Sequence, residues 1–174
     1  MKAGLLFTIP KFLWIVYILG KLIDMSDQVE QFFVPWSFAI ILSVLISVLC
    51  HRRPKWGRRG LGVVWLMGGL LNVYLAWIYP RDYLVFGQFT FFPFYRRFIY
   101  MILFRQAIWM GAILVVWHFY LAFLFFRPKP LSSLSLGLAA VLLLLLAPLG
   151  FGSGFPASLI LLLGLYTLYR AERV

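Results

Sequence analysis

Acidic residues are scarce in this chain. Asp24, Asp27, Glu30, Asp82 and Glu172 are the whole set, against sixteen Lys and Arg. All five lie at or beyond the ends of apolar runs, so no carboxylate is placed to complete a proton relay inside a membrane. Cys50 is the only cysteine, which excludes an intrachain disulfide and a cysteine-based metal cluster. With His51 and His118 as the only histidines, the three or four ligands of a zinc site are missing, and no metal or other cofactor is implied. Cys50 and His51 are adjacent, and side chains one apart on a helix do not face each other, so they do not form a nucleophile and its base. No catalytic residue is assigned, and the chain reads as a non-enzyme rather than an enzyme.

Charge as a whole is also sparse. Only 12% of residues are charged and 64% are hydrophobic, whereas soluble domains carry about 25% charge. Apolar stretches near the length that crosses a bilayer core, about 20 residues, recur about six times: 5–23, 32–50, 61–79, 106–126, 131–149 and 155–169. Six spans take about 120 residues, so 1–174 is expected to be one integral membrane domain. The predicted fold is all-α, a polytopic transmembrane bundle. Prolines punctuate it, since Pro128 and Pro130 block continuation of the fourth span. Residues 80–105 fall outside the spans and are crowded with aromatics suited to the headgroup level. Their part from Phe94 to Phe104 is expected to form an outer interfacial helix.

Positive charge is unevenly placed. With a cytoplasmic N-terminus, ten basic residues fall inside: Lys2, Arg52, Arg53, Lys55, Arg58, Arg59, Arg127, Lys129, Arg170 and Arg173. Four fall outside, Arg81, Arg96, Arg97 and Arg105, and Lys11 and Lys21 remain within the first span. The positive-inside bias then puts both termini in the cytoplasm. Lys2 and the run after it resemble a signal peptide, but no small-residue cleavage site follows, so the first span is expected to be retained. Asp24 stands three residues after Lys21, a spacing that permits an ion pair on one helix face. A basic balance also suits nucleic acid, but no soluble module presents a basic face, so nucleic acid is excluded as a partner. Localisation is the cell membrane, multi-pass, the cytoplasmic membrane if the host is bacterial.

Four features are candidates for function. His118 lies mid-span, where an ionisable group is costly and often functional. With no intramembrane carboxylate, the favoured role is a neutral histidine hydrogen-bonded across helices, to Asn72. Asn72 is polar glue or the lining of a solute site, and glue is the commoner role. Arg96, Arg97 and Arg105 are candidates for lipid or phosphate contact, because guanidinium groups over aromatics suit phosphate headgroups. The predicted cytoplasmic loop His51–Gly60 carries Arg52, Arg53, Lys55, Arg58 and Arg59; topology alone is its favoured role, with docking of an acidic partner or binding of anionic lipid as the alternatives.

Small residues recur at helical spacing. Ala39, Ser43 and Ser47 form one stripe, and Gly62, Gly69 and Ala76 another, with Ala107, Gly111, His118 and Ala122 on one face of the fourth span. Such faces allow close helix approach. Membrane lipids and a protein partner docked on these faces are the expected partners.

The stretch Leu103-Phe104-Arg105-Gln106-Ala107-Ile108-Trp109-Met110, an outer arginine entering an aromatic-rich span with a Leu-rich span after it, resembles the membrane-embedded N-terminal part of bacterial transglutaminase-like membrane proteins. The resemblance covers most of the chain but rests on composition. It implies a multi-helix membrane domain. The Cys-His-Asp site of that family lies in a soluble extracytoplasmic domain that this chain is expected to lack, so no catalytic residue carries over. The expected function is a non-catalytic membrane subunit or scaffold of a cell-envelope complex. A small-solute or lipid carrier component comes second, and an intramembrane enzyme acting on a lipid-linked substrate third.

Overall fold

A computed structural model describes residues 33–90, 92–149 and 154–173. The predicted first span, the Lys21–Asp24 pair and the glycine-rich reversal at 150–153 lie outside the described residues. The chain divides into two compact units, Met1–Pro35 and Trp36–Val174.

Every regular element among the described residues is helical. Helix α1 runs over Phe33–Arg52, and α2 over Pro54–Val73, continued by a wider π-type turn at Tyr74–Ile78. A short 3-10 turn at Pro80–Asp82 leads to α3, Tyr83–Phe89, and then α4, Pro93–Phe98, which continues as a π-type turn at Ile99–Leu103. Helix α5 is Ala107–Phe126, α6 is Ser133–Leu146 with a 3-10 turn at Ala147–Leu149, and α7 is Ala157–Arg173. Among the described residues, three helical segments are long and apolar enough to cross a membrane: Phe33–Arg52, Pro54–Ile78 and Ala107–Phe126. Ser133–Leu149 is a shorter apolar helix.

The predicted basic loop is largely helix. Arg53 alone separates α1 from α2, and its carbonyl accepts from Trp56 N at 2.9 Å and Gly57 N at 3.0 Å. Two residues make so short a reversal possible. Pro54 occupies the first turn of α2, where its fixed φ is already helical and its missing N–H costs nothing. Gly57 lies on the backbone of α1, so close that a Cβ there would stand 2.4 Å from Cys50 Cα. Cys50 is sealed in this contact, fully buried.

Helix α2 packs most extensively on α5, and the pairing order shows the two to be antiparallel. Gly62 meets the Phe126 ring, Gly68 the His118 ring, Gly69 the Phe119 ring and Ala76 meets Gly111. Ser47 Oγ donates to Ile160 O of α7 at 2.8 Å, where Gly164 also lies against Ser47. The small-residue faces of α1 and α2 are therefore occupied by the chain's own helices. Hydrophobic expulsion does not drive helices together in lipid, so close van der Waals contact of this kind supplies the attraction.

One buried cluster centres on Trp65, Leu121, Phe125, Leu142 and Leu168, joining α2, α5, α6 and α7. A second lies at the other end of α2, where residues 80–105 fold back on the bundle. Tyr83, Ile99 and Leu103 are buried there with Leu75, Ala76 and Ala107. The aromatics of this segment divide between the cluster and the surface. Tyr83, Phe86 and Phe98 pack into this cluster, whereas Phe92, Phe94 and Tyr100 stay exposed. The predicted helix from Phe94 is present as α4 and its π-type continuation.

Helix ends follow local chemistry. Arg127 leaves α5 in extended geometry, as the residue before a proline is driven to do. Ser132 caps α6, its Oγ accepting from Ser135 N at 3.1 Å.

Candidate functional site

The two polar residues predicted within the spans are satisfied separately. Asn72 Nδ2 donates to Gly68 O at 2.9 Å, and its Oδ1 accepts from Tyr83 Oη at 3.2 Å. Asn72 thus fastens α2 to α3. Burial pushes the Tyr83 phenol up to about 12, which keeps it protonated and able to donate. His118 Nδ1 lies 2.7 Å from Leu114 O. A carbonyl only accepts, so Nδ1 carries the hydrogen. The expected His118–Asn72 bond is replaced, because the carbonyl one turn back on α5 lies within reach and Asn72 is engaged elsewhere. The His118 ring lies over Gly68 and stands edge-on to Trp65, ring centroids 6.0 Å apart.

Arg96 and Arg97 on α4 and Arg105 before α5 are exposed, and none has a carboxylate within ion-pair distance among the described residues. Phe94 beside them is 75% exposed. The arginines are spread along the surface of this end and do not converge on a cavity given by the described residues.

Convergence occurs at the opposite end. A cleft of about 540 Å³ is bounded by the start of α2, the end of α5 with Pro128 and Pro130 beyond it, and the end of α7. It gathers Lys55, Arg58, Arg59, Arg127 and Glu172. Three of these come from the predicted basic run, while Arg52 and Arg53 stay outside the cleft, exposed.

Arg58 is held at the cleft wall by bonds in several directions. Its Nε donates to Phe125 O at 3.0 Å, and the two N–H groups of Nη2 are shared among Leu124 O at 3.2 Å, Lys129 O at 2.6 Å and Arg127 O. Nη1 meets Glu172 Oε1 at 3.3 Å, with the two side chains only 12% and 17% exposed. These carbonyls sit at the C-terminus of α5, where helical carbonyls lack partners and the dipole is negative, so a guanidinium is doubly suited. Glu172 closes the arrangement, its Oε2 accepting Leu131 N–H at 2.7 Å. One arginine therefore ties α2 to the α5–α6 connection and to α7.

Arg127 and Glu172 were not among the residues singled out from sequence. The available signal was Glu172 itself, the lone acid beside Arg170 and Arg173 at the basic end of the chain. Among the described residues, no group of three or more His, Cys, Asp or Glu is arranged to hold a metal. No protein-family model, no curated protein and no solved structure matches this chain.

Proposed function

We propose that the chain is a non-catalytic integral subunit or scaffold of a cell-envelope membrane complex, with six spans and both termini in the cytoplasm. The observation that carries this reading is an open apolar groove of about 560 Å³ on α5, flanked by α6. Trp109, Ile113, Val116 and Tyr120 line it from α5 and Leu138 from α6. Among the described residues, Gly62, Gly69 and Ala76 are covered by α5 and Ser47 by α7, whereas this groove stays open and fits a partner's transmembrane helix. Trp117, which also lines it, has an indole N–H that is buried without an acceptor among the described residues.

The test is purification in mild detergent. Native chain is expected to bring down a stoichiometric membrane partner. Ile113→Ala with Val116→Ala is expected to lose most of it, with the melting temperature nearly unchanged because both side chains are exposed. Retention of the partner by this variant, or a native chain that purifies alone, would remove the basis for a subunit role.

Orientation has its own support. Arg52, Arg53, Lys55, Arg58, Arg59, Arg127, Lys129 and Arg170 gather at one end of the helices, and Arg81, Arg96, Arg97 and Arg105 at the other. Positive-inside bias makes the first end cytoplasmic. In a Cys50→Ser background, a cysteine at position 129 is expected to resist impermeant maleimide added to intact cells. One at position 97 is expected to react. The reverse pattern would invert the topology.

A further inference from the structure

The cleft at the basic end has more positive charge than its own fold uses. Arg58 is saturated by carbonyls and by Glu172, and both oxygens of Glu172 are engaged. That leaves Lys55, Arg59 and Arg127 on the cleft wall with no carboxylate partner among the described residues. Lys55 and Arg59 are one helical turn apart on α2 and so share a face. Arg127 comes from the end of α5. Three uncompensated cations around one concave site favour an anion by field as well as by contact.

Local geometry leaves the donors available. The Arg59 guanidinium lies over the Trp56 ring at 5.3 Å, and that of Arg127 over the Phe123 ring at 5.1 Å. A ring under its face steadies a guanidinium and does not consume the N–H groups along its edge. Those edges match the paired oxygens of a phosphate.

The other walls name the source of that phosphate. Phe125, Phe126, Pro54, Pro128 and Pro130 line the same cleft. Phe126 is 47% exposed, and Phe123, one turn further into α5, is 58% exposed. An apolar wall thus descends from the cationic rim along a helix apolar enough to cross the membrane. A phospholipid uses both parts, its headgroup at the rim and its glycerol and acyl chains along the wall. A free phosphate uses only the first.

We propose that this cleft binds the phosphate of an anionic phospholipid headgroup, with Lys55, Arg59 and Arg127 as its ligands and Arg58 as the fixed group that shapes the site. The proposal requires a membrane-inserted chain and is independent of the partner groove on α5.

The probe is fluorescent phosphatidylglycerol titrated into the full chain in neutral detergent, with labelled phosphatidylcholine as reference. Phosphatidylglycerol is expected to bind more tightly. Each lost charge is expected to weaken it about fivefold, so Lys55→Gln with Arg59→Gln and Arg127→Gln weakens it on the order of a hundredfold. Arg59→Lys with Arg127→Lys should bind with an affinity between those of the native chain and the triple variant, because the charges remain and the paired N–H edges are lost. All three side chains are exposed, so the triple variant is expected to melt as the native chain does. If it does not, Arg59→Gln alone still carries the fivefold expectation.

Equal affinity of the triple variant and the native chain would overturn the proposal. So would displacement of the lipid by inorganic phosphate at matching concentrations, which would make free phosphate the ligand. Unchanged lipid binding with loss of a co-purifying acidic protein would assign the cleft to that protein instead.

Discussion

Arg58→Met is expected to lower the unfolding free energy by about 3 kcal/mol, the low end of what is lost when one member of a buried ion pair is removed. Methionine keeps most of the volume and none of the donors. The change leaves Glu172 as an uncompensated, largely buried carboxylate and frees the carbonyls of Leu124, Phe125, Arg127 and Lys129. Glu172→Gln should cost less, about 1–2 kcal/mol, because an amide oxygen can still accept from Leu131 N while the charge is lost. The two losses should not add. The double variant should be more stable than their sum predicts by at least about 1 kcal/mol, since neither charge is then stranded. Denaturant unfolding in detergent, followed by tryptophan fluorescence, measures all three. An Arg58→Met protein within about 0.5 kcal/mol of native would show that the arginine is held by these bonds without supporting the fold.

The second large effect lies at the tightest crossing of α2 and α5. A Cβ on Gly111 would stand 2.2 Å from Ala76 Cβ, far inside contact distance. Gly111→Ala therefore forces the two helices apart or bends their backbones. It is expected to destabilise by about 3 kcal/mol, the upper part of the overpacking range. The higher intrinsic helix propensity of alanine, about 1 kcal/mol, opposes this without cancelling it. Ala76→Gly removes the opposing methyl, so Gly111→Ala combined with Ala76→Gly should recover at least half of the loss. Melting temperatures of the two single variants and the double variant test this. A Gly111→Ala protein as stable as native would mean the helices have slack at this crossing.

His118 shows how far the sequence reaches. Its place on the small-residue face of α5 follows from helical spacing, and it is buried in the fold with Ala107, Gly111 and Ala122. Its partner does not follow from spacing. Asn72 was the natural cross-helix choice, yet the Leu114 carbonyl of α5 takes the histidine and Tyr83 takes the asparagine. Tyr83 reaches Asn72 only because residues 80–105 fold back on the bundle end, an arrangement that aromatic composition alone does not distinguish from a flat interfacial belt.

The local pattern by itself determined what depends on one segment at a time. Among the described residues, three of the apolar runs read from the sequence form helices long enough to cross a bilayer, where backbone polar groups must be satisfied within the segment. Pro128 and Pro130 end α5 because proline cannot continue a helix. Tertiary structure decided what depends on two segments meeting. Arg58 and Arg59 are neighbours in one basic run, yet Arg58 closes onto carbonyls 66 to 71 residues away and a carboxylate 114 residues away, while Arg59 stays at the cleft rim. The glycines of α2 announce a close approach, but which face fills them depends on the register of α5 against α2. Helical periodicity places a side chain on a face. Only packing between distant parts of the chain supplies the atoms opposite it.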